Sequence, residues 1–340
     1  MKSTIHEHQK NSFKLVSRTN FKTIGLLFLA AISFVSCEND NNENTPATAA
    51  EFADVRQAAL DKITQEFTFT AEDGTKTFTS EKGVKITING NCLTKDGNPV
   101  TGAVKIEYVE LFDKGNMLVT NKPTMGIMPD GNRNLLISGG EFFIKATQNG
   151  KELATSCNIT LQVPTSLTDG VDTTMTLWKG IIDDEGNLAW ADARKADGTN
   201  GGKGGVEAGQ NSYYVSFGNF GWTNVDRFYS DPRPKTTILA DAPDGFDNTN
   251  SAIYLSYDGE GTNALAKLDT YTAQGLFSEH YGQIPIGLAC HVIFVTEENG
   301  NWRYAIKGVT VQANDVYTFT MAETTVGTEA QLIAAINAIQ

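Results

Sequence analysis

The chain has 340 residues, with 27 Lys or Arg against 40 Asp or Glu, so its formal net charge is −13. Forty per cent hydrophobic residues and 32 glycines are typical of a globular protein with enough length for two domains, and they exclude a disordered or collagen-like chain. An acidic chain also lacks the cations that displace counterions from nucleic acid, which excludes a nucleic-acid partner.

Residues 1–36 have the pattern of a secretory signal peptide. Five basic residues and one acid precede a largely apolar run of 12 residues from Ile24 to Val35. That run is shorter than the roughly 20 residues needed to span a bilayer. We therefore expect cleavage directly before Cys37, rather than a transmembrane anchor.

The residues at the cleavage point, Phe34-Val35-Ser36-Cys37, resemble the lipobox of bacterial lipoproteins. This resemblance implies a diacylglycerol on the Cys37 sulfur and an acylated, palmitate-bearing N-terminus. Two or three acyl chains are enough to anchor a protein stably in a membrane. Residues 37–50 are an acidic, Asn-rich tether, similar to the signal that sends lipoproteins of the Bacteroidota to the cell surface. We expect an outer-membrane lipoprotein that faces the cell exterior. Its mature chain has 304 residues and a charge of −17.

Three further cysteines follow Cys37, in a compartment that permits disulfides. Cys92 and Cys157 lie in the same predicted β-rich domain and are candidates for a disulfide. The alternative is that both, like Cys290, are buried thiols that pack as small apolar residues. The sequence has no Cys-x-x-Cys pair, so we expect no zinc site and assign no metal ligands.

The hydropathy pattern predicts a mainly β fold with two antiparallel β-sandwich-like domains and a short helix at each end. The predicted segments are a helix at 51–66, a sandwich at 67–164, a linker at 165–174, a second β-rich aromatic domain at 175–322 and a helix at 328–339.

Two local signals within these segments are specific. Asn149-Gly150 between alternating runs indicates a type I′ hairpin. Thr328, with Gln331 three residues later, indicates a capping box at the start of the C-terminal helix.

Three stretches, residues 101–124, 138–153 and 221–228, resemble a family of surface lipoproteins of the Bacteroidota with unassigned function. The first predicted domain is in turn similar to the β-sandwich of zonula-occludens and Unc-type netrin-receptor proteins, which serves in protein–protein contacts. The chain has Val225 where the family's Gly-Trp-hydrophobic-Asn-Cys-Asp motif has Cys. The resemblance implies an architecture and no catalytic residues.

Catalytic motifs are missing from the sequence. Only His280 and His291 follow the signal peptide, and there is no Gly-x-Ser-x-Gly or His-Glu-x-x-His. His291 follows Cys290, but neighbouring residues of a strand point to opposite faces and cannot form a dyad. The carboxylates would allow a glycosidase, although nothing selects a pair. We expect no catalysis and no cofactor.

Two acidic stretches, residues 183–185 and 241–250, contain oxygen ligands suited to calcium. Neither has the spacing of a calcium loop, and the alternative is a solvated turn. Asp172-Thr173-Thr174 resembles an acceptor for O-glycans in the Bacteroidota, which makes Thr173 a candidate glycosylation site.

All four tryptophans and nine of the ten tyrosines follow residue 177. Such residues form binding surfaces or fill a core, and the strand-like runs around most of them favour the core. One set, expected near a turn, is the candidate binding patch: Trp222, Asn224, Asp226, Arg227 and Phe228.

These observations predict a non-catalytic, surface-exposed lipoprotein that acts as a protein-interaction or accessory subunit of an outer-membrane complex. The alternative is a glycan-binding module that uses the C-terminal aromatic residues. A hydrolase is the third possibility.

Overall fold

The computed structural model describes residues 45–183, 186–193, 204–279 and 282–340. Strands make up 48% and helices 15% of the structure, which confirms the mainly β fold class. The predicted signal peptide, the lipidation site Cys37 and residues 38–44 of the tether lie outside the described residues, as does His280. No helix within these ranges has the length and apolar character to cross a membrane.

The α-helices that lie entirely within these ranges are α1 (Ala49–Ile63), α2 (Lys114–Val119) and α3 (Glu329–Asn337). Helix α1 begins two residues before the predicted start, because Thr48 and Glu51 form a capping box there. It ends three residues early, because the chain becomes extended at Thr64 and enters a strand. The predicted C-terminal helix and its capping box between Thr328 and Gln331 are confirmed.

An eight-stranded sheet, sheet A, forms one layer of the first sandwich. Its order is β1 (Gln65–Thr70), β6 (Ala103–Leu111), β8 (Arg133–Gln148), β16 (Gly221–Phe228), β12 (Thr176–Ile182), β13 (Leu188–Asp192) and β7 (Met125–Ile127), with β9 (Lys151–Glu152) paired to β8. Strand β7 also pairs with β8, so five strands close into a ring. The inside of this ring is filled by Leu136, Trp178, Leu188 and Trp190.

A five-stranded sheet, sheet B, forms the facing layer. Its order is β14 (Gly205–Ala208), β15 (Ser212–Phe217), β11 (Ile159–Pro164), β3 (Lys85–Asn89) and β2 (Thr75–Thr79). Beside it lies a small sheet of β10 (Ala154–Thr155), β4 (Leu93–Lys95) and β5 (Asn98–Pro99). Side chains such as Ile86 and Leu161 of sheet B pack against Ile106 and Phe142 of sheet A.

A second sandwich follows. Sheet C has the order β20 (Ala266–Leu268), β19 (Ser251–Tyr257), β24 (Ala289–Glu298), β25 (Asn301–Thr310) and β27 (Thr325–Gly327). Sheet D has the order β21 (Thr270–Tyr271), β22 (Phe277–Ser278), β18 (Leu239–Asp241) and β26 (Val316–Thr318), and β17 (Lys235–Thr236) pairs with β23 (Ile284–Pro285). Leu255, Val292 and Phe294 of sheet C face Ala240 and Phe277 of sheet D in a separate core.

The predicted boundary between the domains, residues 165–174, is wrong. Strands β12 to β16 follow this segment but complete sheets A and B, and their side chains Leu177, Val215 and Val225 belong to the core of the first sandwich. The chain passes to the second sandwich only after Phe228. Alternation along a strand specifies which face is buried but not which strand lies beside it, so the pattern could not locate this boundary.

The helices pack on the outer face of sheet C in a third core. Phe52 of α1, Leu118 of α2 and Ile336 of α3 join Ile293 and Val295 there. The buried ammonium of Lys114 donates to the Oγ of Ser256 (2.9 Å) and to the carbonyls of Gly261 (3.0 Å) and Ile339 (2.8 Å). Residues 45–340 therefore form one compact unit.

The hairpin predicted at Asn149-Gly150 is confirmed. Thr147 pairs with Glu152 and Gln148 with Lys151, which leaves a two-residue loop. Both loop residues have positive φ, 52° and 75°, as a type I′ turn requires.

Cys92 and Cys157 are joined in a disulfide with their Cα atoms 5.6 Å apart. Cys290 is a buried free thiol in the second core. The disulfide closes 65 residues of chain and ties the turn before β4 to the start of β11. Since such a bond restricts the unfolded chain, it stabilises the first sandwich.

We predict that the double variant Cys92→Ala, Cys157→Ala loses about 2–4 kcal/mol of unfolding free energy, because its unfolded chain is less restricted. Urea denaturation of the oxidised proteins measures this loss. As a control, a reducing agent should lower the wild-type midpoint and leave that of the double variant unchanged. Equal midpoints for both oxidised proteins would contradict the prediction.

Candidate functional site

The predicted binding patch is not an open surface, because two of its residues are buried and the other three are half-buried. Its residues belong to β16, which runs between β8 and β12 inside sheet A. The side chains of Asn224 and Asp226 are fully buried. The expected turn is at residues 218–220, directly before the strand. Strand β16 begins at Gly221, so all the patch residues lie within the strand and not in the turn.

The other patch residues have partners within the fold. Trp222 lies 5.2 Å from the ring of Phe143, and Phe228 lies 5.0 Å from that of Trp178. Arg227 donates through Nε to the Asp172 carboxylate at 2.6 Å. Three tryptophans are almost fully buried: Trp178, Trp190 and Trp302. For these three tryptophans the alternative interpretation, in which the aromatic residues fill a core, is the correct one.

The candidate glycosylation residue Thr173 is exposed in a turn. The preceding Asp172 accepts hydrogen bonds from the backbone N–H (2.8 Å) and hydroxyl (2.6 Å) of Thr174, in addition to the one from Arg227. These contacts hold the turn in place and leave the Thr173 side chain toward solvent.

Cys290 and His291 point to opposite faces of β24, as expected. Cys290 is buried in the second core, and burial raises the pKa of its thiol to about 12. The Nδ1 of His291 lies 2.8 Å from the Asp258 carboxylate on the other face. The geometry therefore provides no cysteine–histidine dyad at this position.

The acidic stretch at residues 241–250 contains a capped turn. The carboxylate of Asp247 accepts from the N–H (2.8 Å) and hydroxyl (2.6 Å) of Thr249, and the N–H of Asp247 donates to the Oδ1 of Asn250. Within the ranges that the structure covers, no three acidic, His or Cys side chains are grouped to hold a metal ion. Residues 184–185 of the other stretch lie outside those ranges.

The sequence reasoning missed a pair of buried carboxyl groups where β8 meets β16. Glu141 and Asp226 are both fully buried on these neighbouring strands. Neither carboxyl oxygen of Glu141 has a hydrogen-bond partner among the described residues. By contrast, buried Glu110 accepts from the hydroxyls of Ser80 (2.7 Å) and Tyr108 (3.1 Å). An acid within the apolar run from Leu135 to Ile144 was the available signal.

Burial raises the pKa of Glu141 well above its usual range; Asp226 adds to the rise and Lys122 opposes it. Burial also raises the pKa of Asp226, against hydrogen bonds from Ser138 and Gly139. Lys122 has a pKa lowered to about 8 by burial, and its ammonium lies 5.3 Å from the Trp222 ring. The fold therefore favours the neutral carboxyl group at position 141.

We predict that Glu141→Gln raises the unfolding free energy at pH 8 by about 1–3 kcal/mol. The native state binds the Glu141 proton more tightly than the unfolded chain, so wild-type stability falls as pH rises above the ordinary glutamate range. The neutral amide removes this loss. Urea denaturation at pH 5 and pH 8 measures it.

The exposed substitution Glu152→Gln serves as the control, since it removes the same charge at the surface. Glu141→Gln should narrow the stability difference between the two pH values, and Glu152→Gln should preserve it. A wild-type stability difference unchanged by Glu141→Gln would contradict the prediction.

The outer face of sheet B forms a shallow cavity of about 640 Å³. Alternate residues of β2, β3, β11 and β15 point outward there, because side chains of a strand alternate between its two faces. The outward side chains are mainly hydroxyls and amides: Thr77, Thr87, Thr160, Gln162, Tyr214 and Ser216.

Contacts between these side chains make an ordered polar surface. The hydroxyls of Thr77 and Thr87 lie 2.8 Å apart across β2 and β3. Tyr214 is 50% exposed, which makes it one of the few large hydrophobic residues that the described part of the chain presents to solvent. Among its described residues, the cavity lining contains one cation, Lys85, and one anion, Glu207. It is therefore near neutral in a strongly acidic chain.

Comparisons of the sequence with protein-family models and with curated proteins find no match.

Proposed function

We propose that the protein is a lipid-anchored cell-surface lipoprotein that binds a partner protein through the outer face of sheet B. The observation that carries this proposal is the open, near-neutral polar face with Tyr214 exposed within it. Tyrosine supplies a large, rigid contact area with a hydrogen-bonding end and is enriched in interfaces. Hydroxyl and amide groups around it supply directional hydrogen bonds at little desolvation cost compared with charges.

The anchor rests on the sequence around Cys37, with its signal peptide and acidic tether. A lipoprotein held at the outer membrane diffuses in two dimensions, so it meets an outer-membrane partner at a high local concentration. An accessory subunit of a membrane complex fits these properties better than a secreted protein does.

The exposed Thr173 turn is proposed as an O-glycan acceptor on the same molecule.

We predict that Cys37→Ser abolishes incorporation of labelled palmitate and moves the protein from the membrane to the soluble fraction, because the acylated thiol is the anchor. Metabolic labelling and fractionation of the expressing cells measure both effects. Cys290→Ser is the control that removes a different thiol and should keep the label. Label retained in Cys37→Ser would refute the anchor.

We predict that Thr87→Arg, at the centre of the sheet B face, weakens capture of the outer-membrane partner at least tenfold, because the long cation blocks the surface and remains unpaired there. Cross-linking and co-purification of the full chain from native membranes measure capture. Val316→Arg, on the exposed edge of the second sandwich, is the control and should bind normally. Purification of the wild type as a monomer alone would count against the proposal.

Glycan binding is the second candidate, and the exposed Tyr214 favours it, since a tyrosine ring among hydroxyls and amides also stacks on sugars. The version that relied on Trp222 is weaker, because that ring is half-buried and packs against Phe143. The same preparation tested on a glycan array separates the two functions. Binding that is lost in Tyr214→Ala and kept in Tyr214→Phe would favour the glycan.

A further inference from the structure

Three polar side chains meet at the contact between the two sandwiches. Lys267 lies on β20 at the edge of sheet C, and its ammonium donates to the Oδ1 of Asn187 at 2.5 Å and to the Oδ1 of Asn121 at 3.1 Å. Asn187 directly precedes β13 of sheet A, and Asn121 follows α2. The Lys267 side chain therefore connects the second sandwich to a turn of the first, and it places an amine against two amide groups.

The environment of Lys267 favours a nucleophilic amine. The residue is 8% exposed, and burial lowers the pKa of its ammonium to about 7. The positive charges of Arg56 and Lys122 add to this decrease, whereas the carboxylates of Asp269 and Asp183 oppose it. At neutral pH about half of the molecules then have an uncharged amine, whose lone pair can attack a carbonyl carbon.

The Asn187 amide is held in position to accept that attack. Its backbone N–H donates to the Oδ1 of Asp183 at 2.7 Å, and its Nδ2 donates to the Oδ2 of the same carboxylate at 3.4 Å. Because a C=O bond is about 1.2 Å long, the 2.5 Å contact with Oδ1 places the Nζ of Lys267 within about 3.7 Å of the amide carbon. This separation is close to the approach distance of a nucleophile, and a carboxylate lies beside the nitrogen that would leave.

The second amide, that of Asn121, is less suited to the reaction. Its Oδ1 lies farther from the Nζ of Lys267, at 3.1 Å, and also accepts from the Tyr254 hydroxyl at 2.7 Å. Tyr254 is in turn held by the Nη2 of Arg56 at 3.3 Å. These contacts make Asn121 a fixed hydrogen-bond acceptor, and they leave Asn187 as the amide that the amine approaches most closely.

We propose that Lys267 and Asn187 form an intramolecular isopeptide bond. The uncharged Nζ of Lys267 attacks the Cγ of Asn187, and a C–N bond forms as the carbonyl π electrons move to the oxygen. The Asp183 carboxylate takes a proton from the attacking nitrogen and gives it to the Nδ2 of Asn187. The bond from Cγ to Nδ2 then breaks, the carbonyl is restored and ammonia leaves. One amide replaces another, so the step needs no oxidant, reductant or further reactant.

The bond joins the two sandwiches covalently. It closes the chain from residue 187 to residue 267 and, like a disulfide, restricts the unfolded chain. Unlike the disulfide between Cys92 and Cys157, it is an amide and resists reducing agents. The assignment rests on the contacts of Lys267 and Asn187, and it depends neither on the lipid anchor nor on partner binding by sheet B.

Peptide mapping of the reduced, denatured full chain by mass spectrometry tests the bond. Trypsin does not cleave after an acylated lysine, so we expect residues 180–194 and 236–303 in one branched peptide. Its mass should equal the sum of the two linear masses less one molecule of ammonia, with the branch at Asn187 and Lys267. Recovery of residues 236–267 as a linear peptide in full yield would overturn the proposal. A branch to residues 115–133 would also overturn it, because that peptide contains Asn121.

Four variants assign the roles of the individual groups. Lys267→Arg keeps the positive charge without a nucleophilic amine, and Asn187→Ser removes the amide, so both should lack the branched peptide. Asn121→Ser removes the other amide at the same ammonium and is the matched control, which should retain it. Asp183→Asn should lower the branched fraction at least tenfold in briefly labelled cells, because its amide cannot take the proton. A branched peptide that persists in Asn187→Ser, or one that is lost in Asn121→Ser with an unchanged circular-dichroism spectrum, would contradict the assignment.

Discussion

The sixteen residues of strand β8 contribute side chains to two different hydrophobic cores. Its first half places Leu135 and Ile137 in the core of the second sandwich, whereas Phe142 and Ile144 of its second half belong to the first sandwich. The change from one core to the other takes place at Gly139-Gly140. A Cβ at Gly139 would lie 2.8 Å from the carbonyl oxygen of Val225, and Gly140 has a φ of +122°, which side-chain-bearing residues rarely adopt. The two sandwiches are joined because one strand can pass between their cores here.

The buried polar residues of β8 and β16 lie at the same place, where β8 changes from one core to the other. The pairing of β8 with β16 is irregular between Asn224, which lies opposite Glu141, and Asp226, which lies opposite Ser138. A β-bulge redirects side chains and leaves one residue outside the regular hydrogen-bonded pairing of the two strands. A carboxyl group that is buried there destabilises the fold unless it is hydrogen-bonded or neutral. Asp226 is partly compensated through Asn224, whose amide donates to it at 2.5 Å. Glu141 is not compensated in this way, so its carboxyl group is the one that burial keeps neutral without the help of a hydrogen bond among the described residues.

Local features of the sequence were sufficient to predict local structure. The capping box at Thr328, the positive-φ turn at Asn149-Gly150 and the apolar spacing of α1 each involve residues within four positions, and all three appear in the structure. The domain boundary and the patch on β16 depended on which strands become neighbours. Pairings such as Asp226 with Ser138 join residues far apart in the chain, and alternation within one strand contains no information about them.

The pairing of β8 with β16 also has a consequence for the order of events during synthesis. Strand β6, which pairs with one edge of β8, is made before it, whereas β16 at the other edge is made long after it. The residues that cover Leu135 and Ile137 in the second core also come much later in the chain, mostly after residue 228. Long-range closure of this kind is slow, and an uncovered strand with two apolar sides is prone to aggregation. The apolar side chains of the first half of β8 therefore stay uncovered during synthesis until the strands of the second sandwich have emerged, well after residue 228.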